Sequence, residues 1–255
     1  MRYFISISYN GSAYSGWQIQ DNAISVQQLL QRTLSIHLGQ EISLTGAGRT
    51  DSGVNAINYI AHFDTLNPSP QINSSKFLYK INATLPRDIV VNNIVQVDDN
   101  AHARFDAIRR TYKYYVHTRR DPFALDFSYY YHFDLDLEAM NRGCSLLLGE
   151  KDFSSFEKLH GGNTHSVCSL YEAKWEIDTQ YDDNYHFVFT ISANRFLRNM
   201  VRAIVGSLLE VGRGKYPPEW IAEVLEKHDR GMAGQSVPGT ALFLTEIEYP
   251  YSVFN

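Results

Sequence analysis

The chain has only two cysteines in 255 residues, Cys144 and Cys168, and no Cys-x-x-Cys pair. That scarcity excludes a disulfide-stapled secreted scaffold and a thiolate metal cluster, and a chain of this length can bury a core without a bridge. No run of about 18 apolar residues occurs, so no membrane span is expected. The start, Met1-Arg2-Tyr3-Phe4-Ile5-Ser6, lacks the organisation of a signal peptide, and a cytoplasmic location follows as the expectation. His62 and His102 have no partners at metal-ligand spacing and read as structural. No cluster of acidic residues of the Mg²⁺-binding type appears, so no metal is expected.

Excess positive charge is also missing. The formal net charge is −5, and the apolar and charged fractions, 44% and 20%, are those of an ordinary globular protein. The distribution is more telling than the total. Residues 102–120 carry Arg104, Arg109, Arg110, Lys113, Arg119 and Arg120 against Asp106, a local +5. Residues 193–215 carry Arg195, Arg198, Arg202, Arg213 and Lys215 against Glu210, a local +4, which leaves −14 for the rest. Such segregation is the footprint of an acidic protein that binds nucleic acid on one face. Either cluster alone would read as solvated surface.

Periodicity places the elements. Tyr3 to Tyr9 alternates as a strand. Ser25 can cap a helix through Leu38, stopped by Gly39. Strands are expected at Ile42–Thr45, Ala56–Phe63 and Ile89–Val97, with a helix over Asn73–Asn82 and a loop at Asn67-Pro68-Ser69-Pro70. The order β-α-β-β-α-β is a split β-α-β pattern. The second half repeats the plan. Strands are expected at Thr111–His117, Tyr129–Phe133, Ser166–Asp178, Tyr185–Ser192 and Ala241–Tyr249. Helices are expected at Leu137–Leu148, Leu197–Val211 and from Pro217-Pro218 through Lys227, with surface loop at 150–168. The expectation is an α+β protein of two similar halves, residues 1–105 and 106–255.

The richest segment is Gly46-Ala47-Gly48-Arg49-Thr50-Asp51-Ser52-Gly53-Val54-Asn55-Ala56, between two strands. Three glycines in eight residues mark a loop that needs unusual backbone angles or close approach. An Asp held ionised on such a loop by a nearby Arg is a candidate nucleophile or general base. It is equally the composition of a tight turn with a surface ion pair. In the helix expected over 197–211, Arg195, Arg198 and Arg202 would share one face. Tyr112 lies on an alternating strand, where a Tyr either packs or stacks on a base.

The order of motifs resolves part of this. Gly48-Arg49-Thr50-Asp51-x-Gly53-Val54 ahead of Ala61-His62-Phe63 resembles the active-site signature of the TruA family of tRNA pseudouridine synthases. Gly16-Trp17-Gln18-x-Gln20 with Ser25-Val26-Gln27 resembles its amino-terminal signature. Ile81-Asn82-Ala83-x-Leu85-Pro86-x-Asp88-Ile89 resembles its middle segment, and His102-Ala103-Arg104-Phe105-Asp106-Ala107 with Arg110-Thr111-Tyr112-Lys113-Tyr114 the segment carrying its active-site Tyr. Asn194-x-Phe196-x-x-x-Met200-Val201-Arg202-x-Ile204-Val205-Gly206 resembles its carboxy-terminal helix. The matches are ordered and run from Tyr9 to Pro250.

The resemblance implies isomerisation of uridine to pseudouridine in the anticodon stem-loop of tRNA, around positions 38–40, without cofactor or metal, by a homodimer. It implies two α+β halves over a continuous antiparallel sheet with a central active-site cleft. It assigns catalysis to Asp51, which could add to ribose or base or abstract a sugar proton. It assigns substrate contacts to Tyr112, Arg202 and the apolar Leu242, while Arg49, Arg195 and Arg198 are candidates for holding RNA phosphates. Trp17 and Phe156 are candidate aromatic supports for an extruded base. One residue departs from the pattern: the family commonly has His where this chain has Asn55, which keeps hydrogen bonding but loses the ring and any positive charge.

Overall fold

The structure, a computed structural model, describes residues 1–66, 72–158, 165–181 and 183–254. The loop expected at 67–70 lies outside the described residues. The protein is a mixed α/β protein in two compact units, one of residues 1–109 with 244–255, the other of residues 110–243.

The first unit runs β1 (Arg2–Tyr9), α1 (Val26–Leu38), β2 (Leu44–Gly46), β3 (Asn55–Asp64), α2 (Ser75–Thr84) and β4 (Ile89–Val97). The strands lie in the order β4-β1-β3 with β2 paired to β3, every pair antiparallel. Ser25 caps α1 by accepting the Gln28 N–H, and Gly39 ends it in the left-handed region, as its sequence demands. On one part of the sheet Phe4, Ala47 and Ile60 are buried with Ala101 and Ala103, and Tyr249, Val253 and Phe254 pack against them. The returning segment 244–255 is thus part of this core. Tyr249 also donates from its hydroxyl to the Ala103 carbonyl at 2.6 Å.

The second unit contains β5 (Arg109–His117), β6 (Tyr129–Tyr130), α3 (Leu137–Ser145), β7 (Gly149–Asp152), β8 (Val167–Ile177), β9 (His186–Ala193), α4 (Met200–Gly212), α5 (Trp220–Lys227) and the start of β10 (Leu242–Glu248). Its strands lie in the order β5-β9-β8-β7, antiparallel, with β6 added parallel to β5. Only two residues of the strand expected at Tyr129–Phe133 pair, because the chain then turns into α3, capped by Asp136. The segment expected as loop at 150–168 begins instead with most of β7, whereas β8 opens at Val167 in agreement with the strand expected from Ser166. Apart from Arg202 and Glu210, every residue of α4 is buried.

Two glycines dock the following segment on α4. A Cβ on Gly206 would lie 1.8 Å from the Gln235 carbonyl oxygen, and one on Gly234 would lie 2.8 Å from backbone atoms of Gly206 and Ser207. The Gly234 N–H then reaches the Ser207 hydroxyl at 2.8 Å. Close main-chain approach of this kind is open only to glycine.

Candidate active site

In the first unit Asp51 sits between β2 and β3, half-buried, on a loop held by main-chain and side-chain bonds. The loop is fastened at both ends. The Ala47 N–H donates to the Ile60 carbonyl at 2.9 Å, and the Tyr59 hydroxyl donates to the Gly48 carbonyl. The Val54 N–H closes the turn onto the Asp51 carbonyl at 3.2 Å, and Gly53 supplies the positive φ of +79° that the turn requires. Thr50 is buried, its hydroxyl 2.9 Å from that of Tyr9.

The segment from Gly11 to Trp17 lies across this loop. Trp17 N–H donates to the Thr50 carbonyl at 3.3 Å. The Tyr14 carbonyl accepts from the Gly53 N–H at 3.3 Å and from the Ser52 hydroxyl at 3.2 Å. Glycine makes the approach possible: a Cβ on Gly16, whose φ is +84°, would fall 2.2 Å from the Thr50 carbonyl oxygen, and one on Gly11 would fall 2.0 Å from that of Val54. Trp17 is buried against Tyr59 at a centroid distance of 4.1 Å, and the pair fills the space beside Gly46 where a side chain would stand. Trp17 is therefore a support of the loop.

Asn55, the departure from the family pattern, is 1% exposed, and its Oδ1 accepts the Gly11 N–H at 2.8 Å. It fastens the same segment to the loop. Arg49, by contrast, is exposed, and its side chain makes no hydrogen bond or ion pair among the described residues. It is presented to solvent. His62 is buried and accepts the Ala103 N–H at Nδ1, 3.1 Å away, and burial lowers its pKa to about 4. His102, whose ring centroid lies 4.6 Å from that of His62, accepts two backbone N–H groups at Nδ1, and burial lowers its pKa as well. Both are neutral structural acceptors, which fits the reading of them as structural.

In the second unit Tyr112 lies on β5 opposite Ile191, half-buried, with its ring edge-on to Phe196 at 5.1 Å. Arg202 lies in the first turn of α4. Its Nε donates to the Val237 carbonyl at 2.7 Å, and the Val237 N–H returns to the Arg202 carbonyl at 3.3 Å. The segment fixed by Gly206 and Gly234 thus aims the guanidinium. From β5, the Tyr114 hydroxyl holds the neighbouring Pro238 carbonyl at 3.0 Å. Leu242, 5% exposed, opens β10 just beyond this segment. Phe156 is fully buried in the second unit beside Phe153.

The shared helical face of Arg195, Arg198 and Arg202 is not observed. The helix starts at Met200, so only Arg202 is helical. Asn199 adopts the left-handed conformation (φ 67°, ψ 0°), and a tight turn closes from the Met200 N–H to the Leu197 carbonyl at 3.1 Å. Arg195 lies near His165, 3.1 Å from its Nε2. Arg198 is exposed with no side-chain partner among the described residues, while its carbonyl accepts from the Lys158 N–H at 3.0 Å.

Part of each basic segment is ion-paired or stacked. Glu210 binds both Arg213, at 2.7 Å, and Lys215, at 2.6 Å, and Glu248 lies 3.6 Å from Arg109. Arg119 stacks over Tyr185, 3.3 Å from the ring centre. Among the described residues no group of three or more His, Cys, Asp or Glu could hold a metal ion, and no helix is long and apolar enough to cross a membrane.

Comparison with known proteins places these features. A family model described as tRNA pseudouridine synthase matches residues 144–250. A tRNA pseudouridine synthase A of Bacteroides fragilis is 47% identical over 254 residues, covering 100% of this chain and 98% of that protein. One of Parabacteroides distasonis is 50% identical over 254 residues, covering 99% and 98%. A more distant one, of Thermoanaerobacter sp., is 38% identical over 248 residues, covering 96% and 98%.

Proposed function

This chain belongs to the tRNA pseudouridine synthase A family, and from that membership we propose that it isomerises uridines of the tRNA anticodon stem-loop, around positions 38–40, with Asp51 as the catalytic residue. The observation that carries this reading is the Asp51 loop itself. The whole Gly-Arg-Thr-Asp-x-Gly-Val signature is present, and main-chain bonds from Tyr14, Trp17 and Ile60 hold it. A carboxylate held by so much rigid backbone is preorganised for reaction at one substrate position.

In this reading Tyr112 stacks on the target uracil, Arg202 holds the catalytic carboxylate, and Leu242 packs beneath the base. Arg49, Arg195 and Arg198 hold RNA phosphates. The reaction is an isomerisation: a C–N glycosidic bond breaks and a C–C bond forms between the same two fragments, with no net redox change. It needs no cofactor or metal. The enzyme acts as a homodimer in the cytoplasm, with tRNA as its partner. Each half follows the split β-α-β plan. The strand order β4-β1-β3-β2 of the first unit, all antiparallel with two helical crossovers, supports the split β-α-β plan.

The test is chemical mapping of pseudouridine on unmodified tRNA transcripts incubated with the protein or with Asp51→Asn. New signals in the anticodon stem-loop, absent with the variant, are expected. Signals elsewhere would move the target and keep the chemistry. Tight tRNA binding without any signal would make this an RNA-binding protein instead.

A further inference from the structure

One acidic residue of the sequence motifs has no part in the chemistry above. Asp88, in Leu85-Pro86-x-Asp88-Ile89, lies just ahead of β4 and is half-buried. Among the described residues its carboxylate makes no ion pair, and its one hydrogen-bond partner is the Tyr14 hydroxyl at 2.5 Å. A carboxylate so placed has lost part of its hydration and regains it from a single donor. Tyr14 is itself buried, 6% exposed. Burial first, and then the bond to Asp88, raise its pKa, so the phenol stays protonated and keeps donating. The Asn10 N–H adds a second tie to the same place, donating to the Asp88 carbonyl at 2.9 Å.

The other end of Tyr14 is its carbonyl, which accepts from Gly53 N–H and Ser52 Oγ, the two residues that follow Asp51. A single residue therefore joins the start of β4 to the turn that carries the carboxylate. We propose that Tyr14 is a positioning residue for the reaction: anchored by Asp88, it fixes the Ser52-Gly53 turn and through it the reach of Asp51. This rests on the reading of Asp51 as the catalytic residue. The chemistry of the anchor is a charge-assisted O–H···O⁻ bond, shorter and stronger than a neutral one, which suits it to setting a position rather than merely filling space.

Tyr14→Phe keeps the ring and removes the anchor. Single-turnover conversion of tRNA transcript is expected to slow about tenfold, with tRNA Kd within twofold of the parent. Asp88→Ala should reproduce the loss. Asp88→Asn, which retains an oxygen acceptor, should recover most of the rate. The double variant Tyr14→Phe/Asp88→Ala should be no slower than either single one, as residues acting through one bond are non-additive. Amide exchange at Gly53, followed by NMR, should quicken in Tyr14→Phe and Asp88→Ala and not in Asp88→Asn. An unchanged rate in Tyr14→Phe, an additive double variant, or equal losses in rate and tRNA affinity would overturn the proposal. If Tyr14→Phe does not fold, the Asp88 pair decides it by the same readings. Asp51→Asn run alongside keeps the two claims apart. Turnover in that variant removes the premise, whereas an inactive Asp51→Asn beside a fully active Tyr14→Phe removes only Tyr14.

Discussion

The two units hold their candidate residues in different ways. Around Asp51 almost every restraint is backbone to backbone, or side chain to backbone. Gly11, Gly16 and Gly53 permit the contacts and Asn55 and Tyr14 complete them. The Arg202 side chain is bonded to Val237, on a segment docked by Gly206 and Gly234. The Arg198 side chain has no partner among the described residues, and only its carbonyl is bonded, by the Lys158 N–H. A short carboxylate cannot search for its target, so its loop must be rigid. A long guanidinium can reach a phosphate from many rotamers, so its backbone need only be near. The contrast is between a group that must be placed and groups that must only be present.

That comparison can be broken at its strongest point first. Asp51→Asn is expected to remove product formation altogether, leaving tRNA affinity within a few-fold, measured by pseudouridine mapping and filter binding. Turnover above background would end the assignment. Gly16→Ala attacks the placement instead of the group. Its Cβ meets the Thr50 carbonyl and its φ is positive, so the loop must shift. A loss of about 3 kcal/mol in unfolding free energy and about a hundredfold in rate is expected. If denaturant titration finds Gly16→Ala as stable as the parent, the clamp is not what holds the loop.

Arg198→Glu sharpens the other side. It should weaken tRNA binding several-fold and flatten the slope of log K against log salt by about one. An unchanged slope would mean Arg198 faces solvent only. A smaller effect concerns the core next to the loop. His62 has its pKa lowered to about 4 from an ordinary 6.5. The unfolded state therefore binds the proton more readily between these values, and stability falls as pH drops from about 6.5 to 4. This group contributes about 2 kcal/mol to that fall. His62→Gln should flatten the pH profile there, and a parent-like slope would clear His62 of any part in it. Chelator treatment is expected to leave activity unchanged. Loss restored by added metal would overturn the cofactor-free reading.

Much of this was legible in the residues, and the illegible part has a common cause. Strands with alternating sequence, such as β1, and the capped helix α1 follow from local rules, because the signals lie in the elements themselves. β7 was hidden because Gly149-Glu150-Lys151-Asp152 has no apolar alternation and stands at the end of its unit's strand order. The arginine stripe failed at Asn199, whose left-handed backbone starts the helix five residues beyond Arg195. Spacing alone cannot reveal that start. The Asp51 loop could be picked out as glycine-framed, yet not what the glycines are for. Gly11 and Gly16 are short-contact sites with residues about forty positions away, and no local pattern encodes that. In the sequence Asn55 is a departure from the family pattern that keeps hydrogen bonding, with no partner indicated. Its burial and its bond to Gly11 show a fastening role that an amide fills through one oxygen.

The return of residues 244–255 to the first unit has a consequence for biosynthesis. Ribosomes make the chain from the amino terminus, so all of residues 110–243 have been made before the first unit has its last pieces. Phe4 and Ala103 wait for Tyr249, and Ile60 for the segment beyond it. Vectorial synthesis normally lets the leading domain finish first. Here the unit that begins the chain and carries Asp51 receives its last segment only after every residue of the other has been made.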